Sequence, residues 1–135
     1  MELKKTRMTN LVPKEWQEQV ALVEWLRFHP KLKKLFLKND NEGKRTPAQG
    51  FQAKRMGLRP GASDLFIAWP TSIHHGLWLE VKRNKRYTPS EMSTPSWVAQ
   101  IEFIEDMKSV GYAGEFCYGC IDGKRIIESY LLALL

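Results

Sequence analysis

Residues 77–82 read apolar, aromatic, apolar, acid, apolar, base, the period-two pattern of a strand with its two faces in different surroundings. Leu77, Leu79 and Val81 fall on one face, and Trp78, Glu80 and Lys82 on the other. Residues 65–69 form a second β-rich run, entered through the turn signal Pro60-Gly61, so Asp64 is expected at the opening end of that strand. A short strand over 35–38 and another over 113–118 complete the extended segments.

Helical spacing fills the intervals. Residues 13–28 carry Gln19, Leu22 and Leu26 on one stripe that also holds Glu15, while Glu24 lies on the flank with Gln17 and Arg27. Residues 47–56 suit a helix closed by Gly57. Residues 96–110 place Trp97, Ile101, Ile104 and Lys108 as neighbours, with Gln100 on or beside an apolar stripe, and Gly111 ends that helix. A last helix is expected over 122–135, capped by Asp122 or Gly123. No repeat, low-complexity tract or linker divides the chain, and residues 1–135 read as a single domain. The order of elements is that of an α/β protein.

Composition narrows the partners. A net charge of +6 and a pI near 9.4 favour a polyanion, because lysines and arginines that neutralise phosphates release condensed counterions. No apolar run approaches the roughly 20 residues needed to span a bilayer, so no membrane partner is expected. Residues 1–10 are polar and basic with no signal-peptide core, and the two cysteines, Cys117 and Cys120, are too few for a disulfide framework. A cytoplasmic setting follows as the expectation. The Cys-x-x-Cys has no second pair to complete a zinc site, and His74 and His75 fall in a polar connection that reads as a solvated turn.

The chemistry lies in Gly61-Ala62-Ser63-Asp64 and, sixteen residues after Asp64, Glu80-Val81-Lys82. If the two strands pair, Asp64 and Glu80 converge on one cation. Carboxylate oxygens suit a hard ion such as Mg²⁺ or Mn²⁺ that takes a remaining ligand from a substrate phosphate. Lys82, on the face of Glu80, is placed to orient a water or to neutralise charge developing on the phosphate. In a chain with 27% charged residues the same spacing also describes an ordinary solvated strand face, and context has to separate the two.

That context is a resemblance. The Gly61-Ala62-Ser63-Asp64 turn, the Glu80-Val81-Lys82 strand, Asn41-Glu42-Gly43-Lys44-Arg45 before them and Gln100 after them resemble the VRR-NUC (virus-type replication-repair nuclease) branch of the PD-(D/E)xK nucleases, most of all its stand-alone, phage-type members. The match runs from about Glu15 to the C-terminus.

The resemblance implies a restriction-endonuclease-like α/β/α core, a central mixed sheet flanked by helices. It implies that Asp64 and Glu80 are metal ligands, with the Val81 carbonyl as a third, that Lys82 is the catalytic lysine, and that Gln100 borders the site. The family also places a glutamate of the first helix near the metal; Glu15 fits the spacing to Gln19 and is preferred to Glu18. The implied activity is divalent-metal-dependent cleavage of DNA, in a bacterial or phage-infected cell, on branched substrates such as Holliday junctions and by a homodimer. A sequence-specific restriction-type endonuclease and a non-catalytic DNA-binding module are the alternatives, and RNA stays open as a substrate.

Two features depart from the family pattern. Ser63 stands where proline commonly precedes the catalytic acid, and the segment over 87–98, with Pro89 and Pro95, is longer than usual and reads as a substrate-contacting loop. Lys54, Arg55 and Arg59, with Lys44 and Arg45 upstream, form the basic cluster expected to meet phosphates.

Overall fold

The computed structural model describes residues 12–39 and 45–135. Asn41 to Lys44, including the expected phosphate contact at Lys44, and residues 1–10 lie outside the described residues. The elements are α1 (Glu15–Phe28), β1 (Phe36–Lys38), α2 (Pro47–Arg55), β2 (Leu65–Ile67), β3 (Leu77–Lys82), a 3-10 turn (Glu91–Ser93), α3 (Pro95–Ser109), β4 (Ala113–Tyr118) and α4 (Cys120–Leu131).

The strands form one mixed sheet in the order β1-β2-β3-β4, antiparallel across the first two pairings and parallel across the last. The parallel pair needs a crossover, and α3 supplies it on the face that carries Trp78, Glu80 and Lys82. On the other face α1 and α4 bury Leu22, Leu26, Ile126, Ile127 and Tyr130 against Leu65, Ile67, Leu77, Leu79 and Val81. The alternation of β3 thus sorts its side chains into two layers, and the expected α/β/α core with a mixed central sheet is what forms.

Several boundaries differ from expectation. α1 begins at Glu15 instead of at residue 13, because the Lys14 backbone N–H is taken by the Gln17 side chain at 2.8 Å in a capping arrangement. β2 stops at Ile67. The segment expected to be a loop over 87–98 contains the 3-10 turn and the first helical turn of α3, opened by the Thr94 hydroxyl, which accepts from Trp97 N–H at 3.3 Å, and by Pro95 at the first position. Within α3 the buried positions are Trp97, Phe103 and Ile104, whereas Ile101 is exposed.

The largest correction concerns α4. It starts at Cys120, two residues earlier than expected, and ends at Leu131. Neither Asp122 nor Gly123 caps it. Asp122 lies inside the first turn, where it accepts from Tyr118 N–H at 2.9 Å and pairs with Arg125, and Gly123 is buried against Leu22. The Cys-x-x-Cys therefore straddles the end of β4 and the start of α4, with the Cys117 thiol fully buried.

Candidate active site

Antiparallel pairing of β2 with β3 sets Leu65 opposite Leu79, so the residue before β2, Asp64, arrives beside Glu80. The Asp64 carboxylate accepts a hydrogen bond from the Val81 backbone N–H at 2.8 Å, which fixes it at the end of the sheet where β2 begins and β3 ends. The turn leading into Asp64 is pressed onto α3. Gly61 has φ +82°, and a Cβ there would lie 2.4 Å from the Ala99 carbonyl carbon, so glycine is required both by the backbone angle and by the close approach. Ser63 is fully buried in this turn.

A third acid comes from α1. One carboxylate oxygen each of Glu15, Asp64 and Glu80 lie within 4.8 Å of one another. Arg83, directly after β3, holds the chain leading into α1: its Nε donates to the Pro13 carbonyl at 3.0 Å and an Nη to the Val12 carbonyl at 3.1 Å. Glu18, the alternative acid of this helix, is turned to a different task. Its Oε2 accepts from the Cys120 backbone N–H at 2.7 Å, and so serves the N-terminus of α4.

Lys82 completes the group. Its Nζ donates to Gln100 Oε1 at 2.8 Å and stands 3.9 Å from Glu80 Oε1. The same ammonium lies 4.3 Å from the centroid of the Trp97 ring and 5.8 Å from that of Phe116. Asp64, Glu80 and Lys82 are all buried, yet they line a cleft of about 590 Å³ together with Glu15, Gln100 and the walls Pro60, Gly61, Ala62, Pro95, Ser96 and Ala99.

So many acids in so little water are costly. Burial first, and then the charge and hydrogen bonding of neighbouring Asp64, push the Glu80 carboxyl from its ordinary 4.5 up to about 10; Lys82 pulls the other way and Glu15 adds to the rise. Glu80 Oε2 is buried with no hydrogen-bond partner. An all-oxygen donor set, an orphaned carboxylate oxygen and mutual repulsion among three acids fit a hard divalent cation, which would satisfy the oxygen and discharge the repulsion. Val81 enters the site through its N–H to Asp64.

The basic residues expected to meet phosphates spread over more surface. Arg45, Lys54 and Arg55 are exposed, and Arg55 lies 5.9 Å from the Phe51 ring centroid. An Nη of Arg59 donates to Asp106 at 2.6 Å, with the guanidinium 5.2 Å from the Phe103 ring centroid. Arg45 and Arg59 line a second hollow of about 550 Å³ that shares Ala62 with the acidic cleft. Lys54 and Arg55 line neither. His74 and His75 precede β3 and so lie at the far end of the sheet; His74 Nε2 is 3.1 Å from the Leu135 carbonyl oxygen.

Trp97 and Phe116 are the site residues that the sequence reading passed over. Only Trp97 carried a signal along the chain, since it precedes Gln100 by three positions, one helical turn; Phe116 is brought beside Glu80 by the parallel register of the sheet.

No family model matches the sequence, and no curated protein matches it. A solved structure described as a VRR_NUC domain protein does match the fold, with a TM-score of 0.70, 24% sequence identity and coverage of 89% of this chain and 89% of that one. At this identity the likeness establishes the fold. Over that matched part the chain has the architecture of the VRR_NUC domain protein. No helix among the described residues is long and apolar enough to cross a membrane.

Proposed function

We propose that this protein is a divalent-metal-dependent nuclease of the VRR-NUC type, a single domain that hydrolyses DNA phosphodiester bonds. The observation that carries the reading is the convergence of Glu15, Asp64 and Glu80 within 4.8 Å, beside a buried Lys82 held by Gln100. A solvated strand face would not bury an acid pair and a lysine side by side.

Glu15, Asp64 and Glu80 are the residues that would hold the ion, with the Val81 carbonyl as a further ligand, and Mg²⁺ or Mn²⁺ is the ion their oxygens suit. Bound there, it supplies Lewis acidity toward the phosphoryl group. The chain's own contributions are separate. Lys82 offers an ammonium to the charge that develops on the phosphate, and Gln100 holds it at the wall of the cleft by accepting one of its N–H bonds. Asp64, locked by Val81 N–H, cannot swing away when substrate enters. Arg45 and Arg59, with the exposed Lys54 and Arg55, receive flanking phosphates, and Lys44 of the sequence is assigned to the same task.

Branched DNA, with four-way (Holliday) junctions foremost, is the substrate we assign, and a homodimer the active form, because paired cuts need two clefts related by a two-fold axis. The cytoplasm of a bacterial or phage-infected cell is the corresponding setting. The test incubates the pure protein with matched linear, flap and four-way-junction DNA in Mg²⁺, Mn²⁺ and EDTA, with sedimentation on the same samples. Metal-dependent cleavage, strongest on the junction and by a dimer, is expected. A monomer that cuts linear and branched DNA equally would remove the junction assignment and leave the nuclease standing; no cleavage of any substrate in either metal would remove both.

A further inference from the structure

Lysine is a poor residue for fixed geometry: four methylenes separate the charge from the backbone, and a single hydrogen bond leaves most of that freedom in place. Gln100 supplies one such bond to Lys82. The rest of the surroundings are aromatic. Trp97, itself only 7% exposed, presents its ring to the ammonium at 4.3 Å, and Phe116 lies behind at 5.8 Å. The two rings pack on each other with centroids 5.3 Å apart, and Tyr87 backs Trp97 at 5.0 Å. The first turn of α3 is pinned by the Thr94 hydroxyl at Trp97 N–H, so the indole sits on a rigid support.

We infer that Trp97 is a positioning residue for Lys82, its ring face holding the ammonium against Gln100 and toward the acidic cleft, with Phe116 packed beside the indole in the same wall. The inference rests on the nuclease reading and adds to it a residue outside the acid-and-lysine motif. α3 delivers two constraints of different chemistry one turn apart. The Gln100 carbonyl oxygen sets a direction for one N–H; the Trp97 ring attracts the charge as a whole and excludes water from the side away from the cleft. Neither alone fixes a four-carbon stem. Together they hold the amine at the wall of the acidic cleft, where a phosphate would lie.

A residue that acts only through Lys82 has nothing to contribute when Lys82 is gone, and a residue that merely fills the core costs the same in either background. The experiment is therefore a double-mutant cycle in single-turnover cleavage, using the DNA the wild-type protein cuts best and Mn²⁺. Trp97→Leu is expected to lower the saturated rate on the order of tenfold while leaving the half-saturating protein concentration within about twofold, and Trp97→Phe to recover most of the loss. In Lys82→Ala, adding Trp97→Leu is expected to cost nothing further. If Trp97→Leu does not fold, Phe116→Leu takes its place, with a smaller loss that likewise vanishes in Lys82→Ala.

A readout independent of cleavage accompanies the cycle. Held over an indole face, the Lys82 ε-methylene protons should resonate upfield in the NMR spectrum of the wild-type protein and return toward ordinary values in Trp97→Leu. Losses that add fully in the Lys82→Ala background, or a wild-type ε-methylene at its ordinary shift, would overturn the inference while the nuclease reading stands. A wild-type protein that cuts nothing but displays the upfield shift would instead overturn the nuclease reading, and with it any role of Trp97 in cleavage.

Discussion

The Asp64 carboxylate and the Val81 backbone N–H are joined by a 2.8 Å hydrogen bond. Through it the acid that precedes β2 is fastened to the middle of the Glu80-Val81-Lys82 segment. One bond thereby couples the geometry of the proposed site to sheet integrity, and the two can be separated by substitution. Asp64→Asn retains a carbonyl oxygen for Val81 N–H but loses the charge; Asp64→Ala loses both and leaves a buried donor unpaired at about 1–3 kcal/mol. Both variants are expected to abolish cleavage, whereas thermal unfolding should show a marked loss for Asp64→Ala only. Robust Mg²⁺-dependent cutting by either, with contamination excluded, would overturn the site.

The raised Glu80 carboxyl has a definite sign. Between its ordinary 4.5 and about 10 the folded, metal-free protein holds a proton on Glu80 that the unfolded chain has released, so the contribution of this group to stability is fully present below about 4.5 and is lost as pH rises through that window. Glu80→Gln removes the slope. At pH 8 the metal-free variant should melt above the wild type, on the order of 5 °C, with the two converging near pH 4. Added Mg²⁺ should raise the melting point of the wild type and not of the variant. Parallel pH profiles for the two proteins would count against this account.

The two glutamates of α1 should separate cleanly. Glu15→Gln is expected to impair cleavage with little change in stability, because it removes one of three converging carboxylates. Glu18→Gln removes a charged acceptor from Cys120 N–H at the start of α4 and should cost about 1 kcal/mol of stability while cleavage persists. Urea unfolding and cleavage on the same preparations decide it, and the opposite ranking would transfer the site role to Glu18.

Gly61→Ala should damage the site without touching an acid. The new methyl would collide with the Ala99 backbone, and the φ of +82° is itself unfavourable for alanine, at about 1–2 kcal/mol. Relief requires the turn to lift from α3, carrying Asp64 away from Glu80. Lower stability together with slower cleavage is expected; a variant that melts and cuts like the wild type would show that the turn does not set the position of Asp64.

Much of this was legible along the chain. Strict alternation over Leu77–Lys82 located β3 and assigned Glu80 and Lys82 to one face, because successive side chains of a strand must point apart. The stripe Gln19, Leu22 and Leu26 located the buried face of α1 and put Glu15 in line with it. β4, which follows the helix-ending Gly111 and stops before Gly119, has the limits expected from the sequence.

What stayed hidden depended on partners remote in sequence. The start of α4 at Cys120 is served by Glu18, 102 positions away, and no local cap marks it. That Glu15 lies with Asp64 while Glu18 reaches Cys120 follows from how α1 lies across the strand ends, which Arg83 helps to set by holding the Pro13 and Val12 carbonyls. The aromatic enclosure of Lys82 combines β3, β4 and α3. The sequence by itself determined which residues share a face, since backbone periodicity is local. Which faces meet, and so which acids repel, which amine is held and which carboxylate keeps its proton, was decided by packing, because burial and Coulomb interaction depend on distance in space and not on distance along the chain.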